Sequence, residues 1–96
     1  MLFTVYIIYS HSIDQFYVGQ TSDLEKRLQE HNSAYYQNSF SSRANDWSLF
    51  FSVDCDSREL ALKIEHHIKA MRKREYYFNL KKYPEIVIRL KEKFNN

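Results

Sequence analysis

The scarcity of glycine and proline restricts most strongly how this chain can fold, since its 96 residues include one glycine, Gly19, and one proline, Pro84. Glycine supplies the left-handed backbone that many tight turns need, so few connections here can depend on it. We therefore expect long regular helices and strands. Gly19 ends a predicted strand just before a helix, which indicates either a positive φ or a close approach of another group to its backbone.

The composition predicts one folded domain over residues 1–96. The chain is 44% hydrophobic and 17% aromatic, enough to bury a core, and chains this short rarely divide. The single cysteine, Cys55, excludes an intramolecular disulfide framework and fits a reducing compartment. The apolar run from Val5 to Tyr9 is too short to span a membrane, and no basic segment precedes it. We expect a soluble, cytoplasmic protein.

Charge is distributed unevenly along the chain. Residues 1–56 contain three Lys/Arg and seven Asp/Glu, a net charge of −4, whereas residues 57–96 contain eleven and five, a net charge of +6. Tyrosine and phenylalanine are interleaved with the densest basic stretch, 69–82. Basic side chains neutralise phosphates and aromatic rings stack on bases, so this stretch favours contact with nucleic acid. The alternative is a solvated helix face whose lysine stems cover apolar surface.

Three strands are predicted from β-branched and aromatic residues. The first, Leu2 to Tyr9, has the composition of a strand buried on both faces. The second, Phe16 to Gln20, follows after six residues, which favours an antiparallel hairpin because a parallel crossover needs about a dozen or more. The third strand is Trp47 to Asp54.

The first predicted helix begins at Ser22, where Ser22-Asp23-Leu24-Glu25 has the form of a capping box. It ends at Asn32-Ser33. Residues 33–46 are polar and aromatic without a clear period, so they predict a surface loop whose length is typical of functional loops.

The C-terminal half predicts three more helices. Asp56 or Ser57 caps a helix that runs to about Arg72, Glu75 to Lys82 form the next, and Pro84 opens the last. The inward residues are expected to be Leu60, Ala61, Ile64, Ile68 and Met71 in the second helix, and Ile86, Val87, Leu90 and Phe94 in the fourth. The order ββαβααα predicts an α+β fold with a three-stranded antiparallel β-sheet flanked by helices.

Glu65 is the first candidate functional residue, because it lies at the margin of the apolar stripe of the second helix. A buried carboxylate has to be paired, hydrogen-bonded or bound to a metal. The alternative is a partly exposed glutamate that pairs with Lys69 four residues later.

Arg27 and His31 lie one turn apart on the first helix and so point the same way. The fork of an arginine side chain suits a phosphate group. The alternatives are an ion pair of Arg27 with Glu30 or Asp23, and a favourable interaction of His31 with the helix dipole.

Tyr6 and Tyr17 lie on adjacent strands of the predicted hairpin. A tyrosine hydroxyl can orient a water molecule or, near a cation, accept a proton. The alternative is two packing aromatics among eight tyrosines. Other chemistries fit poorly: His66 and His67 are adjacent and cannot share a helical face, and one glycine cannot build a phosphate-binding loop.

These fragments, taken in order, resemble the GIY-YIG nuclease superfamily, in its small single-domain bacterial (UPF0213-like) type. The two half-motifs are Thr4-Val5-Tyr6 and Tyr17-Val18-Gly19. The fragments that follow in the family's order are Arg27-Leu28-Gln29-Glu30-His31, Trp47-Ser48-Leu49 and Ala61-Leu62-Lys63-Ile64-Glu65.

The resemblance implies a metal-dependent endonuclease that hydrolyses phosphodiester bonds in DNA, with Mg²⁺ or Mn²⁺ as cofactor. It also implies a role in DNA repair, recombination or processing. By the same resemblance, Glu65 is the metal ligand and Arg27 stabilises the phosphate. Tyr6 is the base or water-orienting group, Tyr17 is its positioning partner, and His31 is an accessory residue. Gly19 and Asn79 are structural residues of the site.

The chain departs from the family pattern in two ways, of which the second bears on specificity. Thr4 replaces the glycine of the first half-motif, and we expect no separate DNA-targeting domain. Contacts with DNA, branched or nicked, therefore fall to Arg43, Lys69, Arg72, Lys73 and Arg74. The competing hypotheses are a nucleic-acid-binding module of the same fold that does not cleave, and a protein-interaction domain with an aromatic surface.

Overall fold

The elements occur in the predicted order ββαβααα. The structure is a computed structural model and describes residues 2–33 and 40–95, so part of the predicted loop over residues 33–46 lies outside the described residues. The strands are β1 (Phe3–Ser10), β2 (Gln15–Thr21) and β3 (Trp47–Cys55); the helices are α1 (Leu24–Asn32), α2 (Arg58–Met71), α3 (Arg74–Lys82) and α4 (Pro84–Phe94). The remaining part of the predicted loop includes a short 3₁₀ helix, Phe40–Arg43.

The sheet has the strand order β2-β1-β3, and both pairs are antiparallel. The strand β1 is apolar because it lies at the centre of the sheet and other elements cover both of its faces. Val5, Tyr6, Ile7 and Ile8 are all at most 1% exposed. The predicted fold class, the antiparallel hairpin and the burial of the first strand on both faces are confirmed.

Alternation along β1 divides the interior into two clusters on opposite faces of the sheet. Val5 and Ile7 pack with the apolar residues of α2, α3 and α4, on what we call the α2 face. Tyr6 and Ile8 pack with Trp47 and with the leucines of α1, on what we call the α1 face. The sheet therefore lies between α1 on one side and the three C-terminal helices on the other.

The cap of α1 differs from the predicted one. Asp23, not Ser22, is the N-cap, and its side chain accepts a hydrogen bond from the backbone N–H of Lys26. Thr21 Oγ1 accepts the N–H of Asp23 at 3.0 Å, which holds the cap residue in its extended conformation. The helix thus begins one residue later, and Glu25 does not occupy the reciprocal position of a capping box.

The predicted cap of α2 at Ser57 is confirmed, since its hydroxyl accepts the N–H of Leu60 at 3.1 Å. The predicted burial of Met71 is wrong, as this residue is 37% exposed. Met71 is the last residue of α2, and the chain turns away through Arg72 in a left-handed conformation with φ 52°. The inward stripe therefore ends at Ile68. None of the helices in the described ranges is long and apolar enough to cross a membrane.

Candidate active site

Gly19 lies opposite Tyr6 in the β1–β2 ladder, and the phenol of Tyr6 passes directly over it. A Cβ built on Gly19 would lie 2.4 Å from Tyr6 Oη and 2.6 Å from Tyr6 Cζ, which is a steric clash. The φ of Gly19 is not positive. Of the two predicted reasons for this glycine, close approach is therefore confirmed and a positive φ is wrong. The missing side chain lets Tyr6 cross β2 toward α1.

Tyr6, His31 and Ser41 form a buried chain of hydrogen bonds. Tyr6 Oη lies 2.9 Å from His31 Nε2, and His31 Nδ1 lies 2.7 Å from Ser41 Oγ. The three residues are 1%, 3% and 1% exposed. The last turn of α1 supplies the histidine and the 3₁₀ helix supplies the serine, so three separate elements meet at one imidazole.

The pKa of His31 is lowered to about 4, chiefly by burial and also by the nearby charge of Arg27, while Glu30 acts in the opposite sense. His31 is therefore neutral near pH 7, with one ring nitrogen that donates and one that accepts. If Nδ1–H donates to Ser41, then Nε2 accepts the proton of the Tyr6 hydroxyl. In the other tautomer Ser41 donates to Nδ1 and Nε2–H donates to Tyr6 Oη, so the Tyr6 hydroxyl proton is not used in the bond to His31.

Tyr17 lies beside the same imidazole. Its ring centroid is 4.9 Å from that of His31 and 6.3 Å from that of Trp47. Trp47 Nε1 donates to the backbone carbonyl of Ser41 at 2.8 Å. The amide side chain of Asn32 bonds the backbone N–H and carbonyl of Trp47, at 2.7 and 2.9 Å. These bonds attach the end of α1 and the 3₁₀ helix to β3, which holds His31 in place.

Arg27 lies one turn before His31 on α1, and its charge acts on the imidazole. Its Nε is 3.5 Å from Glu30 Oε1, and its side chain is 37% exposed. The predicted alternative, a pair with Glu30, is therefore present, whereas Asp23 is used as a cap.

Glu65 lies on α2, whose apolar residues pack on the α2 face of the sheet. Its side chain is 15% exposed, and its Oε2 is 2.6 Å from Lys69 Nζ. The predicted alternative for Glu65, the ion pair, is thus also present. The structure brings Tyr6, Tyr17, Gly19, Arg27 and His31 together on the α1 face, and it carries Glu65 on α2, a helix that contacts β2. The edge strand β2 carries Tyr17 on one face and packs against α2 on the other.

Comparison with known proteins decides the family. A sequence model described as the GIY-YIG catalytic domain matches residues 2–83. This chain belongs to the GIY-YIG family. The resemblance drawn from the two half-motifs and the fragments that follow them is therefore confirmed, and α4 lies beyond the matched residues. GIY-YIG domains are the catalytic domains of a nuclease superfamily.

Two relatives illustrate the small GIY-YIG proteins that the chain resembles. It is 38% identical to a UPF0213 protein of Syntrophus aciditrophicus (strain SB) over 69 residues, which are 72% of this chain and 79% of that protein. It is 32% identical to the UPF0213 protein YhbQ of Escherichia coli (strain K12 / DH10B) over 62 residues, 65% of this chain. The matched stretch spans 61% of YhbQ, less than two thirds of its length. No solved structure matches the chain.

The residues of this GIY-YIG domain fit a magnesium ion only if a single carboxylate holds it and water molecules complete its coordination. Within residues 2–33 and 40–95 there is no group of three or more His, Cys, Asp or Glu that could hold a metal. Mg²⁺ is often bound through one or two carboxylates and keeps several waters. The carboxylate of Glu65 is a hard oxygen donor of the required kind, and binding through Oε2 would displace Lys69 from it.

The predicted nucleic-acid contacts of this GIY-YIG domain divide into two groups. Arg72 and Lys73 are exposed between α2 and α3, and Arg43 is exposed at the 3₁₀ helix. Lys69 is paired with Glu65, and Arg74 is held by Asp14, through its carboxylate at 2.8 Å and its backbone carbonyl. Asn79 lies partly buried on α3, and its role stays a prediction.

Ser41 is the site residue that the sequence did not indicate. It lies in the polar stretch without a period that was predicted as a surface loop. Nothing local distinguishes it from the neighbouring serines 39 and 42. Its contact with His31 joins residues ten positions apart, and only the packing of the 3₁₀ helix against α1 creates that contact.

Proposed function

We propose that this chain is a divalent-metal-dependent endonuclease that hydrolyses phosphodiester bonds in DNA, with structure-selective or weakly specific action in DNA repair, recombination or processing. The observation that carries the proposal is the buried Tyr6–His31–Ser41 hydrogen-bond chain, with Tyr17 and Arg27 beside it, in a chain of the GIY-YIG family. Buried polar groups are costly unless each has a hydrogen-bond partner, and in this chain each group has one.

The Tyr6 oxygen is the group that orients the attacking water. The neutral His31 is suited to this task because it can donate through Nε2 to Tyr6 Oη while Ser41 donates to Nδ1. Tyr6 Oη is then held by His31 at the point where β1 and β2 approach α1. Burial of the chain fixes this geometry before substrate binds.

Arg27 and Glu65 supply the electrostatic part of the mechanism. The Arg27 guanidinium, one turn from His31 and partly exposed, stabilises the negative charge that develops on the phosphate. Glu65 would hold the divalent cation, which when bound would supply Lewis-acid stabilisation of phosphate charge from the α2 side of the edge strand β2. Lys69, which pairs with Glu65, adds a positive charge beside that carboxylate.

The direct test is cleavage of branched and nicked DNA by the purified protein in the presence of Mg²⁺ or Mn²⁺. Glu65→Gln keeps the size of the side chain and removes its charge, and we expect it to abolish product. Glu59→Gln is the matched control, because Glu59 lies on the same helix and also pairs with a lysine four residues later, at 3.2 Å. We expect this variant to cleave at the wild-type rate.

A second candidate function, a nucleic-acid-binding module that does not cleave, is favoured by the Glu65–Lys69 ion pair, which gives Glu65 a structural role. Under this alternative, wild type and Glu65→Gln bind DNA equally, with the steep salt dependence of phosphate contacts. Neither then gives product with any metal. That combination of results would replace the endonuclease by the binding module.

A further inference from the structure

An exposed aromatic cluster lies on the α2 face, apart from the Tyr6–His31 site. Phe78 of α3 is 54% exposed. Its ring packs against Phe50 and Phe16, with centroid distances of 5.2 and 6.1 Å and nearly perpendicular planes. We call these three phenylalanines the aromatic patch. Phe78 is thus an exposed ring that rests on two partly buried rings.

Two cations lie over the partly buried rings of the aromatic patch. Lys81 Nζ is 4.6 Å from the centroid of Phe50, and Arg74 Cζ is 5.3 Å from that of Phe16. Arg74 is paired with Asp14, so its charge is largely compensated. The exposed ring of Phe78 therefore lies beside the lysines of the last turn of α3, which selects an anionic partner with a flat apolar group.

Unpaired nucleotides meet both requirements. Their bases expose faces that stack on aromatic rings, and their phosphates pair with lysine and arginine. In a duplex the base faces are already stacked on one another, so a duplex would use the cations but not the rings. A second copy of this chain would bring two positively charged patches together, which disfavours self-association at this surface.

We propose that the aromatic patch binds unpaired nucleotides, and that the DNA acted on by this protein carries a single-stranded segment. The substrate part of this inference rests on the proposed endonuclease function. Phe16 and Tyr17 are consecutive residues of the edge strand β2, and their side chains lie on opposite faces of the sheet. A strand held at the patch therefore passes over the β2 edge next to the site that contains Tyr17.

The test is the affinity of the intact protein, without divalent metal, for a fluorescent oligothymidine and for a hairpin duplex of equal charge. We expect tighter binding to the single strand. Phe78→Ala should weaken binding of the single strand about tenfold and leave duplex binding nearly unchanged. Phe78→Trp should restore single-strand binding, and Ile88→Ala, which removes an equally exposed apolar side chain from α4, should have no effect.

Equal affinity for the two oligonucleotides, or unchanged single-strand binding by Phe78→Ala, would overturn the inference. The thermal unfolding of each variant shows whether it is folded. If Phe78→Ala does not fold, the comparison of Phe78→Trp with wild type still tests the inference. Failure of the proposed function gives a different result, namely single-strand binding that depends on Phe78 but no cleavage by wild type with any metal. Cleavage that is indifferent to Phe78 and to single-stranded segments would overturn this inference and leave the endonuclease intact.

Discussion

At the residue scale, Gly19 matters because the Tyr6 phenol occupies the space where a Cβ at position 19 would lie. From there the Tyr6 hydroxyl reaches His31. A strand residue with any side chain at this point would push the phenol away from the imidazole. The requirement is steric and is independent of backbone conformation, because the φ of Gly19 is one that other residues adopt.

Gly19→Ala is expected to destabilise the protein by about 1–3 kcal/mol, the usual cost of overpacking a filled interior. Its Cβ would meet Tyr6 Oη at 2.4 Å. Urea unfolding measures the change in free energy. In a Tyr6→Ala background the clash is gone, so the same substitution should cost far less, and additive effects of the two changes would contradict the steric explanation.

His31 makes stability depend on pH in a direction that its pKa determines. The folded pKa is about 4 and the ordinary value is 6.5, because burial disfavours the charged imidazole. The unfolded chain therefore takes up the proton first as pH falls. The stability contributed by neutral His31 is complete above pH 6.5 and is lost as the pH falls toward 4.

We expect the free energy of unfolding of wild type to fall by about 2 kcal/mol more than that of His31→Gln between pH 7 and pH 5. Urea unfolding of both proteins at the two pH values measures this difference. His67, whose pKa is also lowered by burial, is common to both proteins and cancels in the comparison. Equal pH dependence of the two proteins would show that His31 titrates normally in the folded state.

At the scale of elements, the start of α1 shows where local pattern is ambiguous. Ser22 and Asp23 are adjacent and either type of residue can cap a helix, so the sequence cannot choose between them. The choice of Asp23 depends on Thr21, whose hydroxyl accepts the Asp23 N–H from the end of β2. By contrast, Ser57 and the N-terminal Pro84 mark their helices correctly because their effect is local.

The helix α4 lies beyond the family match but completes the core. Leu90 is 7% exposed and packs in the α2-face cluster, whereas Ile88 on the same helix is 57% exposed. The contacts of Leu90 join α4 to the cluster that covers one whole face of the sheet. This helix is therefore part of the folding unit and not an appendage to it.

Leu90→Ala is expected to lower the free energy of unfolding by about 2–4 kcal/mol, because it removes a buried side chain and leaves a cavity. Ile88→Ala is the matched control and should change stability by about 0.5 kcal/mol or less. Chemical unfolding followed by circular dichroism measures both variants. Similar stability of the two variants would mean that α4 does not contribute to the core in solution.

At the scale of the whole molecule, the uneven charge along the chain becomes an uneven charge in space. The helices of residues 57–96, which carry a net charge of +6, all pack on the α2 face. The aromatic patch and the exposed cations near Arg72 lie on that side, and the Tyr6–His31–Ser41 chain lies on the other. The edge strand β2 carries side chains on both of these sides.

The sequence by itself determined the elements, their order, the antiparallel hairpin and the family. These depend on local patterns: β-branched composition, caps, alternation, and an ordered set of short motifs from Tyr6 to Glu65 that spans most of the chain. It also identified the residues that meet at His31, with the exception of Ser41.

Only the tertiary structure decided how distant side chains meet. It paired Glu65 with Lys69, tied Arg74 to Asp14 sixty positions away, and assembled Phe16, Phe50 and Phe78 into one patch. The physical reason is that such contacts depend on the faces that packed elements turn toward one another. A hydrogen bond between Tyr6 and His31 requires a sheet, a helix and the empty space above Gly19 at the same time.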